Sequence, residues 1–475
     1  MKEGWVAIAQ EILRELPSIE SVLQELDEFA TRTGIPQGLI TQSARQVIGE
    51  LRQAILSGAW QGAEADVRVT VLEEVKRHVQ ESWAGHLRRA VNATGVLLHT
   101  GLGRAPLSPE AKCRVDEVLE GYVTLEIDSE DGKRRERHFH IEALLSQVTG
   151  AEAGIIVNNN AAATLLVLNT LAKGCEAIVS RGELVEIGGS FRMPEIMAQS
   201  GAIMREVGTT NKTHLRDYET ALSENTGLIL KVHTSNYRIV GFTSEVLLKE
   251  LAHLAKQHGL PVYYDLGSGA LIDFSRYGLP HEPTVQESLA AGADLVTFSG
   301  DKLMGGPQAG IIVGKRQYID LIKKNPLTRT MRCCKLTYAA VEATLKLFLD
   351  EATAVKRNVT LRKLLEPVET LRKRALALLA ELKRIAPSTI KLTLEECITF
   401  AGGGALPEEP IPTIVISLCD EELSSEEIAY RLRQHSPPVF ARVQGGRVML
   451  DFRTIDEEEI PVLAQALKNL WEARS

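Results

Sequence analysis

Seven short apolar runs, at residues 153–157, 177–180, 203–207, 228–233, 262–266, 295–299 and 310–314, recur along the middle of the chain with helix-length amphipathic segments between them. This alternation constrains the fold more than any other feature. A run apolar on both faces belongs inside a sheet, and strands separated by helices pair in parallel. The expected class is therefore α/β, a doubly wound domain with a mostly parallel sheet. In such a sheet, functional groups gather beyond the carboxyl ends of the strands.

Two of these strand ends carry chemistry. The run Leu295-Val-Thr-Phe-Ser299 leads into Gly300-Asp-Lys302, a Ser-x-x-Lys, with Gly305 and Gly306 following. A lysine delivered to an open sheet edge can form a Schiff base with an aldehyde cofactor, of which pyridoxal phosphate (PLP) is the usual one. Ser299 is placed to hold the cofactor phosphate. The alternative is a turn after a core strand, with Lys302 solvated. Upstream, Pro261-Val-Tyr-Tyr-Asp265 ends in a carboxylate. An aspartate there can pair with a pyridinium nitrogen and keep it protonated; otherwise it is a cap. A helix at about 285–291 separates the two runs, so both ends can face one crevice.

Further candidates lie at the same edge. Asn158-Asn-Asn-Ala-Ala-Ala163 follows the first strand and opens a helix. Its free N–H groups suit a phosphate, with Asn160 and Ala161 as contacts, unless the asparagine is only a cap. His233, at the end of the 228–233 run, either lies against the cofactor ring or bonds a backbone carbonyl. Arg104, Arg329 and Arg332 have the guanidinium forks that suit an oxyanion, although a lone arginine is more often a surface ion pair. Lys133, Arg134, Arg135 and Arg137 form a basic loop, by default a solvated face.

The remaining chain divides around this domain. Residues 1–66 read as a small helical domain, interrupted at 34–38, and 67–90 as a connecting helix. The large domain takes 91–345, and 346–475 form a smaller α+β domain. There, 348–385 reads as one long helix, 412–418, 439–443 and 448–452 as strands, and 425–434 and 457–470 as helices. Residues 1–60 hold five basic residues against eight acidic ones, and the net charge is −8, which argues against a general nucleic-acid binder. Six cysteines form no Cys-x-x-Cys pair, so neither zinc nor a disulfide framework is indicated. No apolar run is long enough to span a bilayer and Met1-Lys-Glu-Gly-Trp5 has no signal-peptide core, so a cytoplasmic location is expected.

Several long motifs in order resemble the bacterial selenocysteine synthases, the L-seryl-tRNA(Sec) selenium transferases. They are Val91-Asn-Ala-Thr-Gly-Val-Leu-Leu-His-Thr100, Val157-Asn-Asn-Asn-Ala-Ala-Ala163, Lys231-Val-His-Thr-Ser-Asn-Tyr237, Asp265-Leu-Gly-Ser-Gly269 and Phe298-Ser-Gly-Asp-Lys302. The resemblance is strong over about 88–350. It implies a fold-type I PLP-dependent transferase with Lys302 carrying the cofactor and Asp265 on its ring nitrogen. It implies conversion of seryl-tRNA(Sec) to selenocysteinyl-tRNA(Sec), through a PLP-bound aminoacrylyl intermediate, with selenophosphate held by Arg104, Arg329 and Arg332. Lys302, Asp301 or His233 would protonate the departing hydroxyl. A tRNA-recognising amino-terminal domain and a homo-oligomeric ring of dimers, a decamer, also follow from it. Cys333 and Cys334 depart from the family pattern, as does Gly101. Rival readings are a fold-type I β-eliminating lyase or desulfurase acting on a free amino acid, and a non-catalytic tRNA-binding scaffold.

Overall fold

A computed structural model describes residues 9–60, 66–188, 191–406 and 409–472. The Met1–Trp5 segment lies outside them. The chain forms two compact units, Met1–Arg89 and Ala90–Ser475.

In the first unit, helices Ile19–Glu25, Asp27–Thr33, Gln37–Ser57 and Val67–Trp83 pack together. Ser18 caps the first of them by accepting from the Ser21 N–H. Gln37–Ser57 buries Ile40, Ala44, Val47, Ile48, Leu51 and Ile55, spaced for one face. Val67, Val71, Val75 and Val79 of the last helix, four residues apart, join the same core and are 0% exposed. The segment read as a connector is thus a core element of this unit, and it stops at Trp83 rather than 90.

In the second unit, β1 (Val91–Ala93), β2 (Ala153–Val157), β3 (Glu176–Ser180), the short pair β4 (Glu186–Ile187) and β5 (Phe191–Arg192), β6 (Ile203–Val207), β7 (Thr226–Val232), β8 (Val262–Gly267), β9 (Leu295–Ser299) and β10 (Gly310–Gly314) precede four later strands. These are β11 (Ile390–Thr399), β12 (Ile411–Asp420), β13 (Val439–Gln444) and β14 (Arg447–Asp451). The large sheet runs β2-β10-β9-β8-β7-β3-β6. From β9 to β6 its pairs are parallel, while β10 is antiparallel to both β9 and β2. The reversal follows from the short connection 300–309, which leaves no room for a crossover helix. Helices cover both faces, over two buried clusters centred on Leu166, Leu230 and Ile312 and on Ile156, Val296 and Phe298.

The smaller sheet runs β1-β13-β14-β12-β11. β1 pairs with β13, Val91 opposite Val439, so the first residues assigned to the large domain belong to this sheet. β11 was not expected. Its sequence alternates apolar residues with Lys391, Thr393 and Glu395, and as an edge strand it is only half-buried. The expected single helix over 348–385 is three, Glu351–Arg357, Val359–Leu365 and Val368–Ile385. Asn358 ends the first and caps the second, its side chain accepting from Thr360 and Leu361, and Pro367 starts the third. The last helix is Ile460–Glu472, preceded by a 3₁₀ turn at Glu457–Glu459, rather than one helix from 457.

Candidate active site

Because β7, β8 and β9 are parallel neighbours, their carboxyl ends bring His233, Asp265 and the Lys302 loop to one edge. Asp265 sits opposite Val232 and Thr297 in the ladders and is 4% exposed. Its Oδ1 accepts from Asn160 Nδ2 at 2.8 Å and Thr297 Oγ1 at 3.3 Å, and its Oδ2 from Thr164 Oγ1 at 3.0 Å. Asn160 and Thr164 lie one turn apart on the helix Asn160–Ala172, so one helix face orients the carboxylate. Burial pushes the Asp265 carboxyl up, and these donors, with the Lys302 charge, pull against it. Neutral donors leave a buried carboxylate short of a cation, which a protonated ring nitrogen supplies.

Lys302 is 3% exposed, and its Nζ donates to the Gly404 carbonyl at 3.3 Å. Its pKa is lowered to about 8, first by burial and next by the Arg104 charge, against the pull of Asp265, Asp301 and Glu282. Lys302 Nζ and Asp265 Oδ1 lie 3.9 and 4.0 Å from the point where a Cβ on Gly267 would sit. The two groups therefore share one space. Gly404, at φ +76°, closes that space from the smaller domain's loop, and a Cβ there would be 3.2 Å from Lys302 Nζ and 3.5 Å from Ser235 Oγ.

Arg104 stands beside the lysine. Its Nη1 donates to Asp301 Oδ2 at 2.8 Å, so Asp301 is an ion-pair partner and not a free acid. Arg104 holds a left-handed φ of +61°, a conformation costing an L-residue about 1–2 kcal/mol, which the ion pair helps to fix. Among the described residues no hydrogen bond joins the His233 ring to a backbone carbonyl. Its Nε2 lies 3.0 Å from Oε1 of Glu282, a side chain 4% exposed. Glu282 was not identified from sequence, because an acid between two prolines in a loop carries no signal of its own. The glycines 402–404 were missed for a similar reason: they are remote in sequence and belong to the other sheet's connections.

The phosphate candidates divide by role. Asn159 caps the helix, accepting from the Ala162 N–H at 2.8 Å, while the Asn160 side chain is committed to Asp265. The first-turn amides of Asn160 and Ala161 have no intrahelical acceptor, the geometry that an anion would need. Ser299 is buried on the same strand face as Thr297, two residues before it, which contacts Asp265.

Arg329 and Arg332 are not brought to this pocket. Among the described residues no hydrogen bond or ion pair joins either to Arg104, Asp301 or Lys302. They line a separate cleft of about 330 Å³ with Arg134, Arg137, Lys323 and Lys324, and Arg332 pairs with Glu126 at 2.9 Å. Their backbone borders the Asn158 turn, since Asn158 N donates to Met331 O at 2.9 Å. The neighbouring Cys333 is buried, its thiol pushed up to about 12 chiefly by burial, whereas Cys334 is exposed. Among the described residues no group of His, Cys, Asp and Glu is arranged to hold a metal, and no helix is long and apolar enough to cross a membrane.

The residues fit a pyridoxal cofactor. Asn160 Oδ1 and Ser268 Oγ, close to the lysine–aspartate pair, are buried polar atoms without partners, as expected of a cavity built for a polar guest. A doubly wound domain with a buried lysine and aspartate at adjacent strand ends, followed by a small α+β domain, defines the fold-type I pyridoxal-phosphate enzymes. The fold matches that of D-glucosaminate-6-phosphate ammonia-lyase with a TM-score of 0.57 at 20% identity, over 83% of this chain and 98% of that one. Residues 90–456 match the family described as SelA: L-seryl-tRNA selenium transferase. The L-seryl-tRNA(Sec) selenium transferase of Alkaliphilus metalliredigens is 49% identical, over 97% of this chain and 98% of its own length. That of Geobacter metallireducens is 48% identical, over 97% and 99%. The chain belongs to the L-seryl-tRNA selenium transferase family.

Proposed function

We propose that this protein converts L-seryl-tRNA(Sec) to L-selenocysteinyl-tRNA(Sec), with pyridoxal phosphate at Lys302 and selenophosphate as selenium donor. The observation that carries this reading is the buried Lys302 amine sharing one space with Asp265 under the Arg104 guanidinium. Bound there, the cofactor supplies an electron sink for charge left at the seryl Cα. Lys302 would hold it at the aldehyde, Asp265 at the ring nitrogen, His233 at the ring, and Ser299 with the Asn160 and Ala161 amides at the phosphate.

The chain's own groups then divide the work. Lys302 Nζ, with a pKa of about 8, is suited to take a proton from the seryl Cα and to deliver it to the departing hydroxyl oxygen. His233 is tethered to Glu282 and Asp301 to Arg104, which favours orienting roles for both over proton delivery. Arg104 presents a cation at the pocket where a phosphate-bearing donor approaches Cβ. Arg329 and Arg332 line a separate basic cleft whose backbone borders the Asn158 turn, and the same proposal gives them capture of the donor anion there, with Arg104 receiving it at the pocket. The seryl carboxyl is an ester, so no carboxylate-binding arginine is required. In keeping with this, the buried Arg453 spends its guanidinium on the carbonyls of Lys363, Glu366 and Pro412. That arrangement favours an esterified substrate over a free amino acid. Residues 1–89 serve tRNA recognition, and the enzyme acts in the cytoplasm as a homo-oligomeric ring of dimers.

The test is incubation with seryl-tRNA(Sec), pyridoxal phosphate and selenophosphate, followed by analysis of the released aminoacyl group. Selenocysteine is the expected product. Turnover of free serine or cysteine with none of the tRNA ester would reject the reading. Replacing both Arg329 and Arg332 with Ala should spare loss of the seryl hydroxyl and stop selenium incorporation.

A further inference from the structure

Behind Asp265 lies a second layer of hydroxyls. Tyr263 precedes it by two residues on β8, so both side chains leave the same face of the strand. Tyr263 is 0% exposed and belongs to the buried cluster centred on Leu166, Leu230 and Ile312. A phenylalanine would fill that place without burying a phenol, which costs free energy unless the hydroxyl is hydrogen-bonded. Here it is. The phenol donates to Thr164 Oγ1 at 3.1 Å and lies 2.7 Å from Thr297 Oγ1, where either hydroxyl can be the donor. These are the two threonines whose hydroxyls reach Asp265, one at Oδ2 and the other at Oδ1.

An ionised carboxylate only accepts, and each hydroxyl has one proton to give. Thr297 has two acceptors in reach, Asp265 and the phenol oxygen. Thr164 also has a choice, between Asp265 and the Asn160 carbonyl, each 3.0 Å away. A phenol proton aimed at either threonine oxygen closes that hydroxyl's route back to the tyrosine and polarises it toward the carboxylate. Burial first, and the Asp265 charge next, hold the phenol well above its ordinary pKa, so it keeps the proton it has to give. The donors that reach Asp265 directly, from Asn160, Thr164 and Thr297, are all neutral. Negative charge at this carboxylate therefore depends on how well neutral dipoles are aligned on it, and the phenol is the group that aligns two of them from behind.

We propose that Tyr263 is a positioning residue for the cofactor ring, aligning the Thr164 and Thr297 hydroxyls on Asp265 so that the carboxylate meets the ring nitrogen as an anion. The inference rests on the reading that pyridoxal phosphate binds at Lys302, and it adds a residue that acts only through others. Two ligands separate this role from packing: pyridoxal phosphate, and its carbocyclic analogue in which a C–H replaces the ring nitrogen. Tyr263→Phe should raise the dissociation constant of pyridoxal phosphate roughly three- to tenfold, while the analogue binds as it does to wild type. In protein loaded with pyridoxal phosphate labelled at the ring nitrogen with nitrogen-15, the solid-state NMR signal should move from the protonated toward the unprotonated position. Thr297→Val should show the same selectivity, and adding Tyr263→Phe to it should bring less further loss than Tyr263→Phe brings alone. Equal weakening of both ligands in Tyr263→Phe, or unchanged binding of both, would overturn the role. Should that variant fail to fold, fluorotyrosine incorporated at position 263 keeps the hydroxyl and makes it a stronger donor. The nitrogen signal should then move further toward the protonated position, and an unmoved signal would overturn the role. Failure of wild-type protein to bind pyridoxal phosphate would reject the cofactor reading and this role with it, whereas equal weakening in the variant rejects Tyr263 alone.

Discussion

Lys302 must lose its proton before it can attack an aldehyde. With a pKa of about 8, roughly a tenth of the amine is neutral at pH 7. The rate at which apo-protein captures pyridoxal phosphate should therefore rise about tenfold per pH unit and level off near pH 8. Arg104 contributes to that low value, and Asp301, which it neutralises, pulls the other way. Arg104→Gln should thus move the midpoint upward and slow capture at pH 7; stopped-flow absorbance measures both, and an unmoved midpoint would show that burial alone sets it. Lys302→Ala should lack the visible band altogether, and a retained band would reject Lys302 as the anchor. Linkage gives a second check. Lys302 has a lower pKa folded than its ordinary value of 10.5, so between about 8 and 10.5 the unfolded chain binds the extra proton. Its contribution to apo-protein stability therefore rises with pH across that window. At this scale the sequence made Lys302 and Asp265 legible, since each ends an apolar run. The second contacts of these groups, Glu282 on His233 and Asp301 on Arg104, depend on loops meeting in space and left no trace in spacing.

Elements apolar on both faces were read with little error. β2, β9 and β10, buried along their whole length, begin and end where their runs do; so does β6, although it is an edge strand, mostly exposed, that carries Arg205 and Glu206. The direction of β10 was not legible, since hydropathy is the same for either orientation. The edge strand β11 was lost because half of its side chains face water. The three helices over 351–385 were merged because capping by Asn358 interrupts the chain without interrupting the apolar stripe. The loop that follows β11 has the largest functional weight among the missed elements. Gly404 combines a φ of +76° with the Lys302 contact. Gly404→Ala should cost roughly 1–2 kcal/mol of stability from the left-handed backbone, seen as a lower melting temperature. It should also loosen the cofactor, seen as faster loss of visible absorbance on dialysis. A variant that retains the cofactor like wild type would show that this loop merely passes over the pocket.

For the whole molecule, the division at Arg89 and Ala90 decides how the tRNA role of the first unit can be tested. Composition placed the boundary near residue 66, because the stretch after it reads as one amphipathic helix with no partner in sequence. The structure gives that helix a partner. Val67, Val71, Val75 and Val79 are wholly buried against the helices that precede them. A truncation removing residues 1–60 uncovers these valines, each losing burial worth about 1.5–3 kcal/mol, and leaves an apolar stripe in water. That protein should aggregate, and weak tRNA binding by it would carry no information about recognition. A truncation beginning at Ala90 removes the unit with its core and keeps β1, whose Val91 pairs with Val439. The Lys302, Asp265 and Arg104 groups all lie beyond the cut. This protein should retain the visible band with pyridoxal phosphate and the pH dependence of capture, yet bind tRNA(Sec) more weakly in filter binding. The acidic balance of residues 1–60 further implies that recognition there uses shape and hydrogen bonds more than net charge. The lost affinity should then depend less steeply on salt than the affinity that remains. Equal tRNA binding by the full chain and the Ala90 truncation would reduce the first unit to a structural module.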